Sequence, residues 1–275
     1  MFQTQGCSAL ITGASAGIGE EFARQLAGRA SALVLVARRA ERLDALRGWL
    51  VSKHPQLRVI TRVGDVTSTD DRIALVERLA DEGVVPDLLV NNAGVGDYGE
   101  FVSGEWSKID QLLQLNVVGL THLTHLLLPA MIAKGGGAIL NVSSLAGEFA
   151  IPDFAVYAAS KAYVTSFSEG LRIETKGRGV HVVALCPGPV STEFGGNARR
   201  GAYGGQVPGG RLLRADIAKV VSAGLRGAER NRPRVFPGFG VFLLATLAGA
   251  LPKAAVRAIM STRPKAAAAG SDAPQ

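Results

Sequence analysis

Residues 12–26 read TGASAGIGEEFARQL and join a short apolar run, CSALITG at 7–13, to a helical pattern. The glycines Gly13, Gly17 and Gly19 have GxxxGxG spacing. Glycine permits a sharp turn and lets the backbone approach a bound group closely. A strand, a glycine turn and a helix N-terminus in this order predict a site for a phosphate or pyrophosphate group. An ordinary glycine-rich turn between a strand and a helix is the alternative.

The remainder of the chain repeats the strand–helix unit. Its strand-like runs are apolar without clean alternation, which is typical of strands buried on both faces. Repeated units of this kind predict a parallel sheet with helices on both faces. We therefore expect one doubly wound α/β domain of the Rossmann type, with a seven-stranded parallel sheet, over residues 1–262. The runs are CSALITG (7–13), SALVLVAR (31–38), LRVITRVGDV (57–66), PDLLVNNAG (86–94), GAILNVSS (137–144), HVVALCPGPV (181–190) and PRVFPG (233–238).

Three segments depart from the repeating pattern. Residues 193–212 carry seven glycines and follow a strand end, where ligands bind in such sheets, so they predict a mobile loop over a substrate. Residues 239–262 predict a helical extension, interpreted as packed core or an oligomer contact. The alternative is that 241–260 lie on a membrane surface, with Lys253 and Arg257 towards anionic lipid. The low-complexity residues 263–275 predict a disordered tail.

Composition narrows the function classes. The 275 residues are 47% hydrophobic and 19% charged, which indicates an ordered globular protein. The net charge of +7 suits nucleic acid, but the basic residues are scattered and aromatics are only 6%, so no nucleic-acid partner is predicted. Cys7 and Cys186 are expected to be buried free thiols in a cytoplasmic protein. No carboxylate accompanies His122 and His125, and no metal site is predicted.

The residues at the end of the second predicted strand indicate which dinucleotide the chain binds. In dinucleotide-binding folds an acid about 20 residues after the glycines binds the adenosine ribose. Ala37 stands there instead, followed by Arg38 and Arg39. Two guanidinium groups, with the hydroxyl of Ser15, favour a 2′-phosphate and therefore NADP(H) over NAD(H). Arg38 is the firmer expectation of the pair, and the alternative is that both arginines are simply solvated.

Further motifs follow the glycine turn in a fixed order. They are GDV at 64–66, NNAG at 91–94, LQLNVVG at 113–119, NVSSLAG at 141–147, YAASK at 157–161 and PGPVST at 187–192. Together with the TGxxxGIG form of the turn, they make the chain similar to the short-chain dehydrogenase/reductase family over about residues 6–240. The resemblance implies an oxidoreductase that interconverts a hydrophobic ketone or aldehyde and its alcohol. It also implies a homodimer or homotetramer.

The resemblance carries site residues over by motif. The catalytic set is Asn116, Ser144, Tyr157 and Lys161, and Ser144 is preferred to Ser143 because it lies thirteen positions before the tyrosine. The implied cofactor contacts are Gly13, Ser15, Gly17, Ile18, Gly19, Arg38, Arg39, Asp65, Val66, Asn92, Ala93, Gly94, Tyr157, Lys161, Pro187, Gly188, Val190 and Thr192. The implied substrate contacts are Ser144, Ala146, Gly147, Phe149, Tyr157, Pro189 and Phe194, with Tyr203 from the mobile loop.

The chemistry of these residue types is consistent with that assignment. A free tyrosine titrates near ~10, and a nearby ammonium lowers this pKa. Tyr157 and Lys161 are four residues apart, so on a helix they share a face about 6 Å apart along the axis. We therefore expect Tyr157 to transfer the proton, Lys161 to tune it and bind the nicotinamide ribose, and Ser144 to bond the substrate oxygen. Asn116 is expected to hold a water that relays protons; stabilising a helix bend is its alternative role.

The remaining alternative to an enzyme is a protein of the same fold that has lost catalytic activity. A catalytically inactive nucleotide-binding sensor or scaffold could keep the same fold and cofactor site. Such a protein needs no proton-transfer group, so the intact set Asn116, Ser144, Tyr157 and Lys161 favours the enzyme.

Overall fold

The computed structural model describes residues 2–191, 193–198, 200 and 213–262. Seven parallel strands form one sheet in the order β3-β2-β1-β4-β5-β6-β7, as the sequence predicts. The strands are β1 (Ser8–Thr12), β2 (Ala32–Ala37), β3 (Arg58–Val63), β4 (Leu88–Asn91), β5 (Gly137–Val142), β6 (Val180–Leu185) and β7 (Arg234–Val235). The order reverses between β1 and β4, and the crevice at such a switch point is where ligands bind in open α/β sheets.

Helices connect the strands and cover both faces of the sheet. They are α1 (Gly17–Leu26), α2 (Ala40–Lys53), α3 (Thr69–Asp81), α4 (Trp106–Leu113), α5 (Leu120–Ala133), α6 (Ala155–Glu174), α7 (Glu193–Asn197), α8 (Ile217–Glu229), α9 (Phe239–Ala250) and α10 (Lys253–Ser261). Neighbouring strand residues point to opposite faces. Thus Ile11 joins the core beneath α1, α2 and α8, whereas Leu10 joins the core beneath α3, α5 and α6.

The helices α4 and α5 form one continuous run through a π-helical turn, Gln114–Gly119. The run, Trp106–Ala133, has 28 residues and is long and apolar enough to cross a membrane by length and composition. Its inner residues Leu123, Leu127 and Met131 are buried against the sheet, however, so we interpret it as a core helix. The sequence pattern alone did not reveal the π-helical turn, which carries Asn116.

The C-terminal helices pack near the carboxyl ends of the strands through a narrow stripe of side chains. Val241 and Ala245 of α9 contact Leu145, and Met260 of α10 joins the cluster around Tyr157. The inner side of these helices is therefore packed, and an oligomer contact or a membrane contact for 239–262 stays a prediction. The outer side of these helices exposes large apolar side chains, namely Phe239, Phe242, Leu243, Leu247, Leu251 and Ile259. The predicted tail, 263–275, lies outside the described residues.

A buried polar network ties α5 and α6 to the middle of the sheet. Nδ2 of Asn91 donates to Oγ1 of Thr124 and to Oδ1 of Asn141, both at 2.9 Å. Nδ2 of Asn141 donates in turn to Oγ of Ser168 at 2.9 Å. All four residues are buried, so each missing partner would leave a polar group without water. The network fixes α6, the helix of Tyr157, relative to β4 and β5.

The Ser168→Ala substitution should lower the free energy of unfolding by about 1–3 kcal/mol, because an N–H of Asn141 then loses its partner in the core. Ser166→Ala is the matched control, since Ser166 is an exposed residue of the same helix and its loss should change stability by less than about 0.5 kcal/mol. Urea denaturation followed by circular dichroism measures both values. Equal values for the two variants would contradict the role of the network.

Candidate active site

The glycine turn between β1 and α1 packs directly on the loop after β4. Gly13 and Gly17 have φ of 65° and 58°, the left-handed region that favours glycine. A Cβ at Gly19 would lie 2.3 Å from the carbonyl oxygen of Gly13 and 2.5 Å from Nδ2 of Asn92. Side chains are therefore excluded at these positions by the fold itself. Ile18, between them, packs against the core.

Hydrogen bonds from Thr12 hold the turn and the loop together. Its Oγ1 accepts the backbone N–H groups of Asn92 and Ala93, both at 3.0 Å. Nδ2 of Asn92 returns a bond to the carbonyl of Thr12 at 2.9 Å. The N-cap of α1 is Ala16, which offers no side-chain acceptor to the first-turn N–H groups. The N-terminus of α1 is thus a suitable site for an anion, as the sequence predicts.

The arginines after β2 point in different directions. Arg39 places Nε and Nη2 at 3.3 and 3.2 Å from Oγ of Ser15, in the glycine turn. Arg38 instead lies 3.5 Å from Oδ2 of Asp65. The structure therefore brings Arg39, rather than the favoured Arg38, to the predicted phosphate site. Arg42, one turn into α2, was not predicted and lies beside Arg39, because both bond the carboxylate of Glu193.

Asp65 and Val66 follow β3 beside a cleft of about 130 Å³ lined by Val36, Gly64 and both residues, among others. Burial raises the pKa of the Asp65 carboxyl, but the hydrogen bonds from Thr67 and the charge of Arg38 bring it below its usual value. Asp65 is consequently ionised at neutral pH. The carbonyl of Val66 accepts from Arg72 at 2.6 Å, so this residue is anchored in the core.

Tyr157 and Lys161 share the buried face of α6, and Nζ of Lys161 lies 5.8 Å from the centre of the Tyr157 ring. Nζ donates to the carbonyl of Val142 at 2.8 Å, at the end of β5. The serines beyond β5 differ in surroundings. Ser143 is buried and donates to the backbone of Lys161. The half-buried Ser144 accepts the backbone N–H of Ala146 at 3.1 Å and lies close enough to Tyr157 to act on the pKa of its phenol. The two serines therefore differ in their surroundings, and the assignment of Ser144 as the catalytic serine stays a prediction.

Burial is the largest influence on the pKa values of both Tyr157 and Lys161. It raises the pKa of Tyr157 to about 12, and the hydrogen bond from Ser144 acts in the opposite direction. It lowers the pKa of Lys161 to about 8. The expected lowering of the Tyr157 pKa is therefore wrong for this arrangement, because burial raises this pKa. At neutral pH the phenol keeps its proton and Lys161 carries its charge.

Asn116 lies in the π-helical turn, buried between two backbone elements. Its Oδ1 accepts the N–H of Val95 at 3.0 Å, and its Nδ2 donates to Val95 O at 2.9 Å and to Ser160 Oγ at 3.2 Å. A Cβ on Gly94 would lie 3.1 Å from Oδ1 of Asn116 and 3.5 Å from Nζ of Lys161. Asn116 therefore ties the π-helical turn to the loop after β4 and to α6, and the Gly94 backbone lies between Asn116 and Lys161.

The wall above Tyr157 is apolar and comes from distant parts of the chain. Phe154 stacks on the Tyr157 ring at 4.3 Å between centres, and Phe194 tilts against it at 5.5 Å. The same cluster includes the predicted Ala146 and Phe149. It also contains residues that the sequence motifs did not reveal, namely Val95, Tyr98, Ile151, Phe154 and Met260. Periodicity could have marked some as buried, but not as neighbours of Tyr157.

The remaining described residues that the sequence predicts to contact cofactor or substrate lie outside this apolar wall. A Cβ on Gly147 would lie 2.8 Å from the backbone of Lys161, so Gly147 permits close packing on α6 and does not line the wall. Pro187 and Gly188 are buried after β6, and Pro189 and Val190 pair with Ala215. Within the predicted mobile loop, residues 193–197 form the short helix α7. Thr192 and Tyr203 lie outside the described residues.

Comparisons with known proteins agree with this arrangement. Residues 8–202 match the model of the family described as short chain dehydrogenase. The chain is 36% identical over 195 residues to a very-long-chain 3-oxoacyl-CoA reductase of Anas platyrhynchos, a match that covers 69% of this chain and 61% of that protein. It thus spans about three-fifths of that relative.

Solved structures align over almost the whole chain. A short-chain dehydrogenase from Sphingobium yanoikuyae in complex with NADPH has TM-score 0.77 and 33% identity, over 95% of this chain and 98% of that one. A bulky-bulky ketone specific alcohol dehydrogenase from Comamonas testosteroni has TM-score 0.74 and 30% identity, over 98% and 99%.

The Gly19→Ala substitution should lower the free energy of unfolding by about 1–3 kcal/mol, because its methyl group has no room against Gly13. Gly48→Ala is the matched control. Gly48 is an exposed glycine of α2 whose added Cβ would meet nothing within 4 Å, and alanine there should stabilise the helix by about 0.5–1 kcal/mol. Thermal and urea unfolding distinguish the variants. A neutral Gly19→Ala would contradict the close packing of the turn.

Proposed function

This chain belongs to the short-chain dehydrogenase family, and on that premise we propose that it is an NADP(H)-dependent oxidoreductase acting on a hydrophobic ketone or aldehyde and its alcohol. The single observation that supports the reaction class best is the grouping of Ser144, Tyr157 and Lys161 beneath an apolar wall. The alternative of an inactive sensor or scaffold leaves this grouping without a role.

The donor set fits a phosphorylated dinucleotide. The glycine turn exposes the N-terminal N–H groups of α1, which suit a pyrophosphate. Ser15, Arg39 and Arg42 supply a hydroxyl and two guanidinium groups near the end of β2, which suit a 2′-phosphate. Likeness to a structure in complex with NADPH adds support. When bound, this cofactor supplies the hydride for the carbonyl carbon.

The chain's own residues supply the proton. We assign Tyr157 as the acid that protonates the carbonyl oxygen, because its phenol stays protonated at neutral pH. Ser144 donates a hydrogen bond to the same oxygen, where negative charge develops. The charge on Lys161 stabilises the phenolate that remains after proton transfer. Asn116 holds the backbone around Gly94 against Lys161, and a relay of protons through this asparagine remains part of the proposal.

The apolar wall indicates the substrate class. Phe149, Phe154, Phe194 and Met260 surround Tyr157 and exclude water from the reacting oxygen. The side chains of this cluster are aliphatic or aromatic, so a hydrophobic carbonyl compound is favoured. Likeness to an alcohol dehydrogenase named for bulky ketones supports a bulky substrate. An acyl chain is consistent with the 3-oxoacyl-CoA reductase relative.

Assembly and location stay predictions. We propose a homodimer or homotetramer in the cytoplasm, as the family resemblance implies. The exposed side of α9, with Phe239, Phe242 and Leu247, suits either a second copy or a membrane surface.

A panel of carbonyl compounds with NADPH and with NADH, followed by cofactor absorbance, tests the function. We expect turnover of bulky hydrophobic ketones, with NADPH preferred. Tyr157→Phe should reduce kcat by about 100-fold or more while NADPH binding stays within about twofold, because only the proton donor is lost.

Tyr163→Phe is the matched control for this experiment. Tyr163 is an exposed tyrosine of the same helix whose hydroxyl bonds Thr121, so its loss should leave kcat unchanged. Full activity of Tyr157→Phe would show that the proposed proton donor is wrong. Preserved cofactor binding without turnover of any carbonyl compound in the wild type would favour the sensor.

The pH dependence follows from Lys161. Its pKa is lowered to about 8, so its charge is complete well below pH 8 and is lost as pH rises through that value. We expect kcat/KM for reduction to fall above about pH 8, because kcat/KM reports groups of the free enzyme. In Lys161→Arg any residual activity should keep its level to pH 10, since a guanidinium stays charged. A wild-type profile that is flat from pH 6 to 10 would contradict the role of the lysine.

A further inference from the structure

The carboxylate of Glu193 lies beside the arginines of the proposed cofactor site, although Glu193 is 154 positions after Arg39 in the sequence. Glu193, the first residue of α7, lies with Oε2 at 3.2 Å from Nη1 of Arg39. Its two carboxylate oxygens lie at 2.8 and 3.0 Å from Nη1 of Arg42. Arg39 simultaneously contacts Ser15 in the glycine turn. An internal anion thus occupies the group of cations that would hold the phosphate of the adenosine ribose.

We propose that Glu193 is an internal competitor for the cofactor's 2′-phosphate, and that Arg42 is a third member of that phosphate site with Ser15 and Arg39. The proposal rests on the proposed NADP(H) function. It adds a specificity-determining cation from α2 and a carboxylate that must leave when the phosphorylated cofactor binds.

The position of the arginines explains why an anion is needed there. Arg39 is the N-cap residue of α2 and Arg42 lies in its first turn. The positive end of a helix disfavours cations, and the two guanidinium groups also repel each other. The carboxylate of Asp65 gives no relief because it lies beside Arg38, at 3.5 Å. A carboxylate or a phosphate between Arg39 and Arg42 offsets this local excess of positive charge.

The titration of Glu193 is consistent with this arrangement. Hydrogen bonds from Arg42 and then Arg39 hold the pKa of its carboxyl below the usual range. The carboxylate is therefore charged whenever the cofactor site is in use. A phosphate carries more charge and more acceptor oxygens than a carboxylate, so it can displace Glu193 from both arginines.

The competition is expected to be modest. The side chains of Arg39, Arg42 and Glu193 are 47%, 47% and 50% exposed, and exposed ion pairs contribute little because water screens them. Removing the competing charge should strengthen binding of a 2′-phosphate by about three- to tenfold. Such a competitor tunes affinity without closing the site.

Phe194, the residue after Glu193, lies at the candidate catalytic centre. Phe194 tilts against Tyr157 at 5.5 Å between ring centres and fills the space over Gly96. Glu193 and Phe194 are adjacent in α7, so one short helix contacts both the arginines and the Tyr157 ring.

Isothermal titration with adenosine 2′,5′-bisphosphate and with ADP tests the proposal without the nicotinamide. Glu193→Gln should bind the 2′,5′-bisphosphate about three- to tenfold more tightly and ADP within twofold of the wild type. Arg42→Gln should bind the bisphosphate more weakly by at least threefold, again with little change for ADP. Thermal unfolding confirms that each variant is folded.

The matched controls are Glu41→Gln and Arg47→Gln, exposed residues of α2 that change the net charge equally. Both should leave the two affinities within twofold. If Glu193→Gln has no effect, or strengthens both ligands equally, the competitor is overturned. If Arg42→Gln affects neither ligand, Arg42 is excluded from the site. If the wild type itself does not prefer the bisphosphate, the NADP(H) preference of the proposed function fails instead.

Discussion

Close packing between the glycine turn after β1 and the loop after β4 is the constraint on which the rest of the site depends. A side chain at Gly13 or Gly19 would collide with Asn92, Ala93 or the turn itself, and Thr12 bonds both segments. This contact closes the switch point of the sheet. It puts the N-terminus of α1 beside the loop that leads to Gly94, and hence beside Asn116 and Lys161.

Burial determines what the site can do chemically. The apolar cluster from α6, α7 and α10 encloses Tyr157 and raises its pKa, while Lys161 stays charged at neutral pH in spite of its own burial. A protonated phenol beside an ammonium is a suitable proton donor for a developing alkoxide, so this state of the site suits the reductive direction. Water in this cluster would reduce the effect of burial on the pKa of both Tyr157 and Lys161.

Much of this could be predicted from the sequence because the signals are local. The seven apolar runs and the glycine spacing gave the sheet and the phosphate turn, and the four-residue spacing of Tyr157 and Lys161 gave their shared face. Ser144 was preferred to Ser143 because it lies thirteen positions before Tyr157, a spacing that the family resemblance supplies. These features depend on neighbours within a few residues.

The features of the site that the sequence did not predict depend on contacts between distant segments of the chain. Two consecutive arginines do not reveal which one turns towards Ser15, and Glu193 meets Arg39 across 154 positions of sequence. The three-residue spacing of Arg39 and Arg42 was an available signal for a second cation on one helix face. Met260 joins the substrate wall only because α10 folds back over α6. The proton affinity of Tyr157 follows from this same enclosure and was therefore mispredicted.

The central claim is that a nicotinamide hydride and the proton of Tyr157 meet on one carbonyl group. The most direct measurement supplies NADPH carrying deuterium at the transferred position of its nicotinamide together with a bulky ketone, and locates the label by mass spectrometry. The proposed chemistry predicts one deuterium on the carbinol carbon of the alcohol in the wild type, and labelled alcohol formed about 100-fold or more slowly by Tyr157→Phe. Labelled alcohol formed at the wild-type rate by Tyr157→Phe, or alcohol formed without the label, would contradict it.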